Sequence, residues 1–91
     1  MVAPIRLRVL TETGMVLEDE AVSVIAPGEL GYLGMWPNHA PLVTTLVKGK
    51  LTWRHPTGVT RTAAVGGGLL EIAHNRLTLV TETFSESGAS A

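Results

Sequence analysis

The sequence contains no cysteine, which excludes a disulfide framework, a thiolate metal site and a cysteine nucleophile. Aromatic residues are scarce at 4%. Trp36, Tyr32 and Trp53 are too few to make a base-stacking platform without a basic groove around them. No such groove is expected, because 7 basic against 8 acidic side chains leave a net charge of −1. Nucleic acid and anionic membranes both call for a clustered positive field. Apolar runs are short, far below the roughly 20 residues of a spanning helix, and the N-terminus has no basic patch followed by an apolar stretch. Direct membrane insertion is therefore not expected, and any membrane role is peripheral.

What the chain has is enough apolar material to fold. Hydrophobic residues are 45% and charged residues 16% of 91, well away from disordered compositions. The length allows one domain. Val, Ile and Thr supply 24 residues, and their stiff branched Cβ suits a pleated sheet better than a helix. Gly14, Pro27-Gly28, Pro37, Gly49, Pro56-Thr57-Gly58, Gly66-Gly67-Gly68 and Asn75 punctuate the chain every 8 to 14 residues. That spacing predicts short antiparallel strands.

Alternation assigns faces. Ile5, Leu7 and Val9 point one way and Arg6 and Arg8 the other, a half-buried first strand. Residues 21–26 are apolar enough to be covered on both sides. Leu51 and Trp53 alternate with Lys50, Thr52 and Arg54; Val59, Ala63 and Val65 form a second apolar set that Arg61 interrupts. The two segments read as a hairpin closed by His55-Pro56-Thr57-Gly58. Residues 69–84 also fit helical spacing, but Asn75 between His74 and Arg76 is a turn signal and Leu77–Thr81 is rich in strand formers, so two strands are expected. From Ser85 the small polar residues predict a frayed tail, giving a domain over 1–84 and a disordered tail over 85–91.

Signs of chemistry are few. Gly66-Gly67-Gly68 lacks the following helix and lysine of a phosphate loop, and reads as a bulge or strand crossing. His39, His55 and His74 are too far apart in sequence for a local metal motif. Asp19 is the sole aspartate, no nucleophile elbow exists, and Glu18-Asp19-Glu20 reads as a solvated hairpin segment. No cofactor, no metal and no catalytic residue is expected. The distinctive stretch is residues 28–43, GELGYLGMWPNHAPLV, with three glycines, two prolines and several large apolar or aromatic groups. Gly28, Gly31 and Gly34 permit close backbone approach, and Pro37 and Pro41 stiffen the loop around Asn38-His39-Ala40. A rigid, partly apolar loop loses little entropy on docking.

These residues resemble the epsilon subunit family of F-type ATP synthases, called delta in mitochondria, in its N-terminal β-sandwich domain. GELGYLGMWPNHAPLVT at 28–44 is similar to the family's G-E-x-G-x-x-P-x-H-A-P-L pattern, with Met35-Trp36 where a single residue before proline is common. AAVGGGLLEIAHNRLTLVTETF at 63–84 resembles its strand-GGxxE-strand-N-x-(V/L)-T hairpin, and IRLRVLTETGMVLEDEAVSVIAP fits its opening strands. The resemblance implies an all-β, flattened sandwich of about ten short antiparallel strands.

It also implies a non-catalytic rotor subunit on the cytoplasmic face of the inner membrane. Its partners would be the c-ring loops, reached through Glu29, and the gamma subunit, reached through His39, Ala40, Pro41 and Leu42. Leu30, Tyr32 and Trp36 complete the expected interface. The family's two C-terminal helices have no counterpart in these 91 residues, so a short form without the helical hairpin is expected. The alternative is a free-standing β-sandwich adaptor using the same loop.

Overall fold

Alternation becomes strand wherever it was strong. The computed structural model describes residues 3–90, with side chains through Ser87. Its regular elements are β1 (Ile5–Thr11), β2 (Gly14–Ala21), β3 (Ser23–Gly28), β4 (Gly31–Met35), β5 (Leu42–Leu46), β6 (Gly49–Arg54), β7 (Thr60–Val65), β8 (Gly68–Ala73), β9 (Arg76–Thr81) and β10 (Phe84–Ser90). They form one sheet in the order β10-β7-β6-β3-β5-β8-β9-β1-β2, with β4 on the other edge of β3. Between β3 and β5 a single pair, Gly28 with Leu46, carries the sheet around the corner. The result is two layers, β4-β3-β6-β7-β10 over β5-β8-β9-β1-β2, which is the expected sandwich.

Eight of the nine pairings are antiparallel; β1 and β9 run parallel. A parallel pair cannot be closed by a tight hairpin. Here the first strand enters beside the ninth after the whole chain between them has gone round the sandwich.

Both layers send their alternate residues inward. Ile5, Leu7, Val9, Leu70, Ile72, Leu77 and Leu79 from one meet Val24, Met35, Leu51, Trp53, Ala63 and Val65 from the other, all fully or almost fully buried. Each buried large apolar side chain contributes roughly 1.5–3 kcal/mol relative to exposure. The β8–β9 hairpin turns at His74 and Asn75, both at left-handed φ (52° and 59°), the geometry of a two-residue primed turn. Gly68 marks a close crossing, since a Cβ there would overlap the Val80 carbonyl.

Two expectations need correction. Residues 21–26 are not covered on both sides, for Ile25 stays 42% exposed on the outer face of β3. Nor does order end at Phe84. Phe84 packs against the core, and Ser85 and Glu86 continue opposite Ala64 and Ala63 of β7. Composition misjudged this stretch because it needs no core of its own: β7 offers an open edge, and Arg61 holds both oxygens of Glu86 at 2.7 and 2.8 Å. Ala91, the end of the expected tail, lies outside the described residues.

Candidate functional site

The sequence-predicted residues divide between the two ends of β4. At one end the β3–β4 hairpin turns through Glu29 and Leu30, between the paired Gly28 and Gly31. Glu29 N–H donates to the Thr45 carbonyl at 3.1 Å and Val47 N–H to the Pro27 carbonyl at 2.9 Å, so the tip is fastened to β5. Leu30 is fully exposed. The Glu29 carboxylate makes no ion pair among the described residues. Tyr32 stands beside the tip, 63% exposed, its hydroxyl accepting from the Lys50 backbone N–H at 3.1 Å.

At the other end, about 15 Å away for five residues at roughly 3.3 Å each, the chain leaves β4 through Trp36. The indole lies across Gly34: a Cβ at position 34 would come within 2.9 Å of the ring. The ring nevertheless remains 59% exposed. Beyond it, Asn38 takes a left-handed φ of 69°, and His39 N–H donates back to the Trp36 carbonyl at 3.2 Å. His39 Nδ1 donates to the Ala40 carbonyl at 2.6 Å. Pro41 then leads into Leu42, which packs on the core at the start of β5.

This second end is held from across the molecule. Asn38 N–H donates to Asn75 Oδ1 at 2.6 Å, and Asn75 Nδ2 returns a bond to Asn38 Oδ1 at 3.2 Å. Two left-handed turns thus lock each other, and a shallow cleft between them is lined by His39, Pro41, His74 and Asn75. Sequence reasoning identified Asn75 as a turn but not as a brace, since nothing in the chain links positions 37 residues apart.

Asp19 is the larger surprise. Its neighbours Glu18 and Glu20 are exposed, yet its own side chain is only 13% exposed. From β2 it accepts from Trp53 Nε1 at 2.8 Å and from Arg61 Nη1 at 2.8 Å, tying one layer's edge to the other layer. Arg61 also stacks on the Trp53 ring at 5.2 Å. Burial pushes the Asp19 carboxyl up, but the bonds from Trp53, from Glu20 N–H and from Arg61, with the guanidinium charge, outweigh it and hold Asp19 below the ordinary carboxylate value. For Arg61, burial pulls down, while Glu86 and Asp19 together raise it further. The visible signal was Arg61 itself, a charge in phase with an inward-facing set.

Asp19, His55 and Thr57 have the residue types of a proton relay but not its geometry. His55 Nε2 lies 3.7 Å from Asp19, beyond a hydrogen bond. Its Nδ1 accepts from Thr57 N–H at 3.1 Å, as in a simple turn. The arrangement is a clip between strands. What the surface offers instead is a rigid edge with an acidic and apolar tip at one end and an aromatic, proline-stiffened loop at the other.

Comparison with known proteins agrees in fold and family. Residues 4–87 match the family described as ATP synthase, Delta/Epsilon chain, beta-sandwich domain. The ATP synthase epsilon chain of Moorella thermoacetica is 41% identical over 93% of this chain and 63% of its own length. That of Stenotrophomonas maltophilia is 38% identical over 87% of this chain and 56% of its own. The chain thus spans about three fifths of the length of these curated relatives. A chain in the cryo-EM structure of the Euglena gracilis mitochondrial ATP synthase OSCP/F1/c-ring superposes with a TM-score of 0.86 at 17% identity, covering 92% of this chain and 54% of its own length. One from the Tetrahymena thermophila mitochondrial ATP synthase central stalk and c-ring gives 0.71 at 14%, covering 89% and 65%.

Proposed function

Because this chain belongs to the ATP synthase delta/epsilon family through its β-sandwich domain, we propose that it is a non-catalytic rotor subunit. It joins the c-ring to gamma, peripheral to the membrane on its cytoplasmic face, so that ion-driven rotation of the ring turns the stalk. The carrying observation is the two-ended edge. A part that joins two partners needs a separate contact for each, and a stiff body loses little entropy when it docks. Here Leu30 and Glu29 project at one end of β4, and Trp36, His39 and Pro41 at the other. Between them lies β4, paired along its length with β3, which is in turn paired with β6, and the Asn38–Asn75 pair braces the far loop.

Glu29 addresses the polar loops of the ring through its unpaired charge, with Leu30 and Tyr32 as apolar contacts beside it. His39, Ala40, Pro41 and Leu42, with Trp36, meet gamma. The subunit itself makes and breaks no bonds. Charge at an interface rim steers and orients, and reversal turns attraction into repulsion. Membrane vesicles carrying Glu29→Lys should therefore show a lower ratio of ATP made to ions moved than Glu29→Gln, with wild type highest. Equal ratios in all three would remove Glu29 from the ring contact. Replacing His39 and Pro41 together by Ala should weaken gamma pull-down without unfolding the chain, and an unchanged pull-down would place gamma elsewhere.

A further inference from the structure

The outer face of β8-β9-β1-β2 carries an arrangement that the rotor reading does not use. Parallel pairing sets Arg76 of β9 directly opposite Arg6 of β1, and Thr78 opposite Arg8. All three arginines point outward and are exposed. Like charges directly opposite on neighbouring strands destabilise a sheet. Glu20 and Glu18 of β2 stand opposite Arg6 and Arg8 on their other side, whereas Arg76 has only Ala73 of β8 opposite it there. The one ion pair among the described residues of this face is Arg6 to Glu18 at 4.0 Å, with both side chains about half exposed. Arg8 reaches only the Thr78 hydroxyl, at 3.4 Å. Arg76 pairs with no described carboxylate. Each guanidinium has five N–H donors in a planar fork suited to a carboxylate, and nearly all of them are unused.

The three arginines line two adjoining grooves, one walled by Glu18 and the other by Glu71 and His74. His74 also lines the cleft beneath His39 and Pro41. The arginine face and the braced loop are therefore one continuous surface, and a partner seated on the loop passes over His74 toward Arg76.

We propose that Arg6, Arg8 and Arg76 bind an acidic segment of gamma, extending the loop contact across the turn of His74. This rests on the reading that the His39–Pro41 loop docks on gamma. A protein segment suits the face better than a phosphate or a lipid headgroup. Glu18, Glu20 and Glu71 stand among the arginines, and a multiply charged anion would meet them, whereas single carboxylates spaced along a chain engage one guanidinium each.

The test is the affinity of the whole chain for purified gamma as salt is varied, with Arg8→Gln/Arg76→Gln, Arg76→Glu, and Arg54→Gln on the opposite layer as control. At low ionic strength the double Gln variant should bind about tenfold more weakly and lose most of its salt dependence. Arg76→Glu should be weaker still, and Arg54→Gln within about twofold of wild type. Melting temperatures should change little, because Arg76→Gln relieves the repulsion from Arg6 opposite it, offsetting the loss of the Arg8 charge that faces Glu18. Wild-type affinity and salt dependence in the double Gln variant would overturn this inference and leave the rotor reading standing, whereas a wild-type chain that does not bind gamma would overturn both. Capture by phosphatidylglycerol vesicles that the double variant loses, with gamma affinity unchanged, would overturn the choice of a protein partner.

Discussion

Asp19 holds together two layers that the backbone joins at few other points. Besides the β3–β5 corner, Val22 N–H bonds the Arg54 carbonyl at 2.8 Å, and then the Asp19 carboxylate takes over. Charge-assisted hydrogen bonds contribute about 1.5–3 kcal/mol, so Asp19→Asn should destabilise the chain by roughly 1–3 kcal/mol in denaturant melts near neutral pH. The pH dependence follows in sign. Asp19 titrates lower in the folded chain, so its contribution is complete above its unfolded value, about 3.9. It is lost as pH falls through the depressed folded value. The stability gap between wild type and Asp19→Asn should be flat from pH 7 to about 5 and close below about 4. A gap that widened in acid would refute the assignment. The two tryptophans make a second contrast. Trp53 is fully buried and Trp36 mostly exposed. Trp53→Ala should cost about 3–5 kcal/mol, and Trp36→Ala within about 0.5.

Strands were legible where one face is dry. Ile5-Arg6-Leu7-Arg8-Val9 and Leu77 to Thr81 alternate because the pleat does, and the Asn75 turn separates β8 from β9 as its side chain suggests. The readings that failed concern sheet edges and pairings distant in sequence, which leave no periodic mark. Nothing near Arg6 announces a parallel neighbour, and nothing in Ser85–Ser87 announces β7. Beyond Phe84, which packs on the core, β10 is accordingly held by pairing and by the Arg61–Glu86 contact rather than by burial. Truncation after Phe84 should destabilise by about 1–2 kcal/mol, seen as a melting temperature lower by roughly 4–8 °C per kcal/mol. Glu86→Gln should reproduce part of that loss. If truncation left the melting temperature unchanged, residues 85–91 would be the frayed tail that their composition suggests.

At the scale of the molecule, the sequence singles out residues 28–43 as a stiff candidate docking loop but does not show its division. Glycines and prolines show that a loop is stiff, not that β4 sets its halves about five strand residues apart. The brace from Asn75 and the arginine face likewise depend on which strands become neighbours. In the proposed role it is this division that lets the chain connect two partners, and it can be tested directly because the chain has no cysteine of its own. Leu30→Cys and Pro41→Cys, introduced singly into the assembled synthase with a short photoactivated maleimide cross-linker, probe the two ends separately. Leu30→Cys should yield adducts with the c subunit alone and Pro41→Cys adducts with gamma alone. Both cysteines reaching the same partner, or the two exchanging partners, would contradict this division.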